Sequence, residues 1–165
     1  MTKKYIKDFT LTDKRQVTTG CHLLKLKPAD GEMPAMLPGQ FVQVEIANSK
    51  NTFLRRPISV NFVDATDNTL WLLVRCAGEG TINLVESNIG STINLVLPLG
   101  NGFNATPGGR RLLIGGGVGV APLLYLGKQL HDVGTEVTFL LGARSAADLA
   151  MIEEFEKYGT VCIST

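Results

Sequence analysis

The chain has 165 residues, 44% of them hydrophobic and 19% charged, so it is long enough to bury a core and too apolar to be disordered. Its 16 basic and 15 acidic residues leave a net charge of +1, which gives no electrostatic reason to expect nucleic acid or a membrane surface as a partner. Three widely spaced cysteines (Cys21, Cys76, Cys162) show neither metal-ligand spacing nor a disulfide framework, and no apolar stretch follows the basic N-terminus. A reducing, cytoplasmic setting is therefore expected, without a membrane span.

The first hundred residues read as strands. Tyr5–Leu11 puts Tyr5, Phe9 and Leu11 on one face. Val17–Lys27 alternates Leu24 and Leu26 with lysines, and Phe41–Ile46 has period two after a Gly/Pro loop at Asp30–Pro38. A polar turn at Asn48–Thr52 leads to Pro57–Val63, which the turn Asp64–Asn68 joins to Thr69–Cys76 as a hairpin. Ile82, Val85 and Ile89 have helical spacing, with Gly90 placed to end the helix, and Thr92–Leu97 is a sixth strand. Six short strands and one helix predict a small closed or nearly closed antiparallel barrel.

After a Gly/Pro-rich exit and a linker the pattern changes. Arg111–Ile114 is a short apolar strand, and Val120–Val133 carries Leu123, Leu126, Leu130 and Val133 at helical spacing before Gly134. Glu136–Leu141 is the next strand. Ser145 can cap a second helix with Leu149, Ile152 and Phe155 on its buried face and Gly159 at its end, and Val161–Ile163 begins a third strand. This β-α-β-α-β order is that of a parallel sheet. A doubly wound domain uses about five or six strands, so the sequence is expected to be part of a longer protein.

Three stretches suit anions. In FLRRPISV (Phe53–Val60), Pro57 fixes its own φ and holds Arg56 extended, so the Arg56 guanidinium and the Ser59 hydroxyl could meet a phosphate; an exposed arginine at a strand edge is the alternative. Gly78-Glu79-Gly80-Thr81 enters a helix and offers amides and a hydroxyl, though plain capping by Thr81 reads the same way. Gly115-Gly116-Gly117-Val118-Gly119-Val120-Ala121-Pro122 lies between strand and helix, where amides and the helix dipole can receive a pyrophosphate. It departs from the dinucleotide fingerprint G-x-G-x-x-G at Val120, and a tight turn used only for packing would carry the same glycines.

Other candidates read as structural. His22 and His131 have no ligand-spaced partners. Glu153, Glu154 and Glu156 fall on a solvated helix face, Cys76 reads as a small buried hydrophobe, and Arg55 as a solvated side chain without a role.

Taken in order, these motifs resemble the ferredoxin-reductase-like flavoproteins. RPIS (Arg56, Pro57, Ile58, Ser59) is similar to the family's flavin motif, GQFV (Gly39–Val42) to the strand before it, GEGT to its flavin-phosphate turn and GGGVGVAP to its nicotinamide-nucleotide loop. The proline of RPIS, LVR (Leu73, Val74, Arg75) and PLGNGF (Pro98–Phe103) narrow the resemblance to the electron-transfer subunits of NAD-dependent dihydroorotate dehydrogenases.

The architecture this implies is β + α/β. A six-stranded antiparallel Greek-key barrel (1–103) would bind FAD, and a partial Rossmann-like parallel α/β domain (110–165) would bind NAD(H). The resemblance puts Arg56, Pro57, Ile58, Ser59, the backbone of Leu73, Val74 and Arg75, and Gly80 and Thr81 on FAD. Gly115, Gly116, Gly117, Val118, Gly119 and Pro122 fall on NAD. It further implies a catalytic dihydroorotate dehydrogenase subunit as partner in pyrimidine synthesis, and a 2Fe–2S cluster held by cysteines that these 165 residues lack. A reductase of the same fold serving an oxygenase, ferredoxin or sulfide-linked partner, and a non-catalytic docking module, are the alternatives.

Overall fold

Phe9 and Leu11 are wholly buried, yet the strand that carries them, β1, continues to Thr18 (Tyr5–Thr18), well past the expected end at Leu11. In this computed structural model, which describes residues 3–47, 49 and 51–165, bulges at Leu11/Asp13 and Gln16/Thr18 shift the register of β1. Each bulge resets the inside–outside alternation, so a strict period of two loses the strand there. Val17 consequently belongs to β1, and the hairpin turns at Thr19-Gly20, with Gly20 at φ +73°, into β2 (Cys21–Pro28).

β3 (Phe41–Val44), β4 (Arg56–Asp64), β5 (Thr69–Arg75) and β6 (Thr92–Leu99) complete a closed antiparallel barrel in the order β1-β2-β5-β4-β3-β6. The chain steps from β2 to the non-adjacent β3, which makes the order a Greek key. Leu24, Leu26, Val42, Val44, Val60, Leu72, Val74 and Leu95 point inward and are fully buried. The expected turn at Asn48–Thr52 lies partly outside the described residues, at Asn48 and Lys50.

The helix expected at Ile82–Ile89 is α1, Glu79–Glu86. Leu84 and Val85 are its buried apolar residues, whereas Ile82 is 41% exposed and Ile89, beyond the helix, 61%. The start is displaced because the Thr81 hydroxyl accepts the N–H groups of Ala77 (2.9 Å) and Gly78 (3.2 Å), pinning the first turn one residue after Gly78. Gly90, at φ +91°, does not end α1; its N–H donates to the Leu11 carbonyl (2.7 Å) in the turn into β6.

The second unit is a parallel sheet of β7 (Arg110–Gly116), β8 (Glu136–Gly142) and β9 (Thr160–Ser164) in that order. A 3-10 turn at Gly117–Val120 leads into α2 (Ala121–Asp132), so α2 begins one residue later than its apolar spacing suggests. The expected helix after Ser145 is split: a 3-10 turn at Ala146–Asp148 and α3 (Ile152–Glu156) are separated by Met151, whose φ is +62°. α2 and α3 cover the sheet face that carries Val137, Phe139 and Leu141, with Phe139 and Phe155 edge to face at 4.9 Å. The other face leaves Leu112 58% and Ile114 63% exposed, although a parallel sheet normally buries both faces.

The two units share one apolar core. Cys21, Leu23, Phe62, Trp71 and Leu73 on the outside of the barrel pack against Val120, Ala121 and Leu124 of the α2 region. Two hydrogen bonds cross this contact. Buried Asn61, two residues after Ser59, donates from Nδ2 to the Ala121 carbonyl (2.8 Å), and the Tyr125 hydroxyl donates to the Met36 carbonyl (3.2 Å). β4 and the start of α2 are therefore held in one frame. Among the described residues no helix is long and apolar enough to cross a membrane.

Candidate cofactor and dinucleotide sites

The motif RPIS occupies the first four residues of β4, and its surroundings follow from where the strand pairs. On one side Arg56–Ser59 pair with β3, from Arg56↔Val44 to Ser59↔Phe41. On the other side, pairing with β5 stops at Val60↔Leu72. Beyond that point Leu73, Val74 and Arg75 pair only with Leu23, His22 and Cys21 of β2. The two strands diverge, leaving the facing edges of Arg56–Ser59 and Leu73–Arg75 without strand partners. Backbone amides and carbonyls along such edges suit a flat heterocycle with donors and acceptors on its rim. The side chains of Leu73 and Val74 are buried in the two cores, so only their main chain could serve a ligand there.

At the end of this opening Arg56 meets the phosphate-turn motif. Its side chain runs across Gly80 so closely that a Cβ at Gly80 would lie 2.6 Å from Arg56 Nε and 3.1 Å from Thr52 Cγ2. A side chain at position 80 would displace the arginine, which gives this glycine a steric purpose. Among the described residues the Arg56 guanidinium makes no ion pair or side-chain hydrogen bond. Arg56, Thr52 and Gly78–Thr81 line a recess of about 370 Å³. The N–H groups of Ala77 and Gly78 are taken by Thr81, whereas those of Glu79 and Gly80, in the first turn of α1, are of the kind a helix leaves without internal partners. An unpaired guanidinium beside such amides fits a phosphate.

Arg55 is a correction to the sequence reading. From just before β4 it staples β3 to β6: its Nη1 donates to the carbonyls of Asn94 (3.0 Å) and Gln43 (3.4 Å), and its Nη2 to Asn94 Oδ1 (2.6 Å) and Glu45 Oε2 (3.4 Å). Nothing in the residue type distinguishes it from Arg56. Their surroundings do: Arg55, just before β4, reaches Gln43 and Asn94, while Arg56, the first residue of β4, lies against Gly80.

The glycine loop after β7 has mixed duties. Gly115 lacks room for a side chain, since a Cβ would lie 2.7 Å from Leu123 Cδ1, and Gly117 has φ +54°. Val120, where the ordinary fingerprint has glycine, is 4% exposed and packs in the shared core. Pro122 sits in the first turn of α2, where its missing N–H costs nothing. Gly116, Gly117 and Val118 line a cleft of about 460 Å³ between the two units, with Thr18, Thr19, Cys21 and Arg75 on the barrel wall. Arg75 thus borders both sites, its main chain on the β4–β5 opening and its side chain in the cleft. Arg144 and Asp148, which no sequence motif singled out, line the same cleft. They lie in the loop after β8, and only the parallel pairing of β7 with β8, Gly116 opposite Gly142, brings that loop beside the glycines.

The remaining candidates have other partners. Cys76 is half-buried, with Sγ 3.7 Å from His22 Nδ1, and burial pushes the Cys21 thiol above its ordinary range. Cys162 is exposed on β9, and His131 lies 3.7 Å from Asp132. Glu153 and Glu156 are exposed as expected, but Glu154 is not simply solvated. It bridges Arg15 of β1 (3.6 Å) and Lys157 (2.6 Å).

No protein-family model matches the chain. Among curated proteins it is 40% identical over 131 residues to the dihydroorotate dehydrogenase B (NAD(+)) electron transfer subunit of Shouchella clausii, covering 78% of this chain and 51% of that protein. It is 33% identical over 163 residues to the subunit of the same name from Fusobacterium nucleatum, covering 97% of this chain and 62% of the relative. The chain is thus similar to these electron-transfer subunits over most of its own length. It spans about half the length of most of the relatives it matches, as with the Listeria monocytogenes subunit, 44% identical over 133 residues and covered to 52%. Among solved structures, an NADH-dependent reduced ferredoxin-NADP oxidoreductase superposes with a TM-score of 0.82 at 28% identity, over 94% of this chain and 55% of the other. Phthalate dioxygenase reductase, at 18% identity and a TM-score of 0.78, shares the fold over 96% of this chain and 51% of its own. The barrel and parallel sheet are those of the ferredoxin-reductase-like fold.

Proposed function

We propose that this chain is the flavin-binding part of an electron-transfer subunit that passes reducing equivalents between NAD(H) and a catalytic dihydroorotate dehydrogenase subunit, in the cytoplasm and in pyrimidine synthesis. The observation that carries the reading is the Arg56 guanidinium laid across Gly80 at the start of α1, next to the gap where β4 and β5 part.

In this reading Arg56 and the first-turn amides of α1 hold the pyrophosphate of FAD. The facing edges of Arg56–Ser59 and Leu73–Arg75 orient the flavin ring, with the Ser59 hydroxyl beside it. FAD supplies the redox chemistry when bound; the protein supplies position, charge and exclusion of water. Gly115–Gly119 and Pro122 present amides to a nicotinamide dinucleotide in the adjoining cleft. The barrel, residues 1–103, is then the flavin domain, and 110–165 belong to the dinucleotide domain. Any 2Fe–2S relay is held by sequence outside these 165 residues, since Cys21, Cys76 and Cys162 fall in three different settings.

Titration of FAD into the purified chain, followed by anaerobic addition of NADH, tests the proposal. Stoichiometric uptake of FAD with a visible flavin band that NADH bleaches is expected. A chain that takes up no FAD overturns the flavin reading, and one that binds FAD without reduction by NADH overturns the NAD(H) half.

A further inference from the structure

The dinucleotide loop has a charge problem. Gly115–Pro122 offers amides but contains no cation, whereas a pyrophosphate carries two negative charges. The cleft holds two cations, on opposite walls: Arg75 at the end of β5 in the barrel, and Arg144 two residues after β8 in the α/β unit. Both are exposed, and among the described residues neither has an ion-pair partner. Asp148 is the one carboxylate on the cleft wall, and the Ser145 hydroxyl donates to it (2.9 Å). It is not within ion-pair distance of Arg144, so that guanidinium is not neutralised inside its own loop.

We infer that Arg75 and Arg144 form a two-sided clamp on the pyrophosphate of the nicotinamide dinucleotide, one arginine from each unit, with the Gly116–Val118 amides between them. The inference rests on the proposed NAD(H) site and gives the Arg75 side chain a role on the dinucleotide. Its main chain stays on the β4–β5 edge. Arginine suits the task because its planar fork can engage two phosphate oxygens at once. Because its two halves come from different units, the clamp forms only while the Asn61–Ala121 hydrogen bond and the shared core keep them in register.

ADP-ribose, which keeps the pyrophosphate and lacks nicotinamide, is the probe. Calorimetric titration into the chain loaded with FAD should show Arg144→Ala and Arg75→Ala each weakening ADP-ribose by about 10- to 100-fold, the loss of one charge-assisted contact. Bound FAD should stay at the parent's level in Arg144→Ala. Arg144→Lys, which keeps the charge and loses the fork, should recover part of the affinity, and raising the salt should weaken the parent more than either alanine variant. ADP-ribose binding unchanged in both alanine variants overturns the clamp while leaving the NAD(H) site standing. Loss of FAD from Arg75→Ala with ADP-ribose binding intact assigns that side chain to the flavin and overturns the clamp. A parent chain that binds FAD but no ADP-ribose overturns the clamp together with the dinucleotide reading, and leaves the flavin site untouched.

Discussion

Two glycine-bounded turns in this chain lead into helices, and under the proposed function they would meet the demands of an anion in different ways. At Gly78–Thr81 the cation is built in: Arg56 from the same barrel crosses Gly80, and the absence of a Cβ there makes the crossing possible. At Gly115–Pro122 the glycines serve packing against Leu123 and a left-handed φ at Gly117, and the cations stand on other elements. The first seat is complete within one closed barrel. The second exists only as a product of the contact between barrel and sheet. A glycine turn thus says that backbone comes close to something; whether that something is a ligand's phosphate or the protein's own side chain depends on what the fold brings opposite.

The contrast can be broken most sharply at Gly80. Gly80→Val should expel the Arg56 guanidinium and weaken FAD by about 2–4 kcal/mol, as much as Arg56→Ala, because both remove the same charge-assisted contact. An FAD titration in which Gly80→Val binds like the parent would show that the crossing of Arg56 over Gly80 has no bearing on the cofactor. The neighbouring arginine should behave in the opposite way. Arg55→Ala strips donors from the Asn94 and Gln43 carbonyls and should lower the unfolding free energy by about 1–3 kcal/mol, with FAD affinity nearly unchanged. Denaturant unfolding of both arginine variants separates the two roles, and equal losses of stability would erase the distinction.

Within the second turn, Gly117 should answer to φ and not to space. No atom would touch a Cβ on Gly117, but its φ is +54°, so Gly117→Ala should cost about 1 kcal/mol through backbone strain alone. Unchanged thermal unfolding would contradict that. The smallest effect lies far from either seat, at the end of α2. There the hydrogen bond from Lys128, and then its charge, hold the Asp132 carboxyl below its ordinary range. A lowered folded-state pKa stabilises above the unfolded value and is lost as pH falls through the folded one, so this contribution should fade below about pH 4. Because both side chains reach solvent, Asp132→Asn should cost no more than about 0.5 kcal/mol at neutral pH, and a larger loss would mean the pair is less screened than its exposure indicates.

Much of the fold was legible because alternation and helical spacing are local signals. The barrel strands from β2 onward, the hairpin at Asp64–Asn68 and the β-α-β-α-β order all lie where the pattern of apolar residues puts them, within a few residues. The misses have local causes too. Bulges in β1 hid its second half, the Thr81 hydroxyl moved α1 forward and turned Ile82 and Ile89 to solvent, and Met151 in a left-handed conformation divided the helix expected after Ser145. For the sites, the motifs named the turns but not their partners. Arg144 and Asp148 carry no signature in their own segment, and Arg55 and Arg56 are the same residue type side by side.

The sequence by itself determined the barrel followed by a parallel sheet, the positions of three anion-friendly stretches and their likeness to a flavoprotein family. It could do so because periodicity, Pro57 and the glycines act through the backbone of the residues beside them. Only the tertiary structure decided that Arg56 lies over Gly80 while Arg55 staples β3 to β6. Only it decided that β4 and β5 part after Val60, and that Arg75 and Arg144 face one cleft. Those outcomes depend on strand register and on a core shared between the two units, and both are set by packing between residues tens of positions apart.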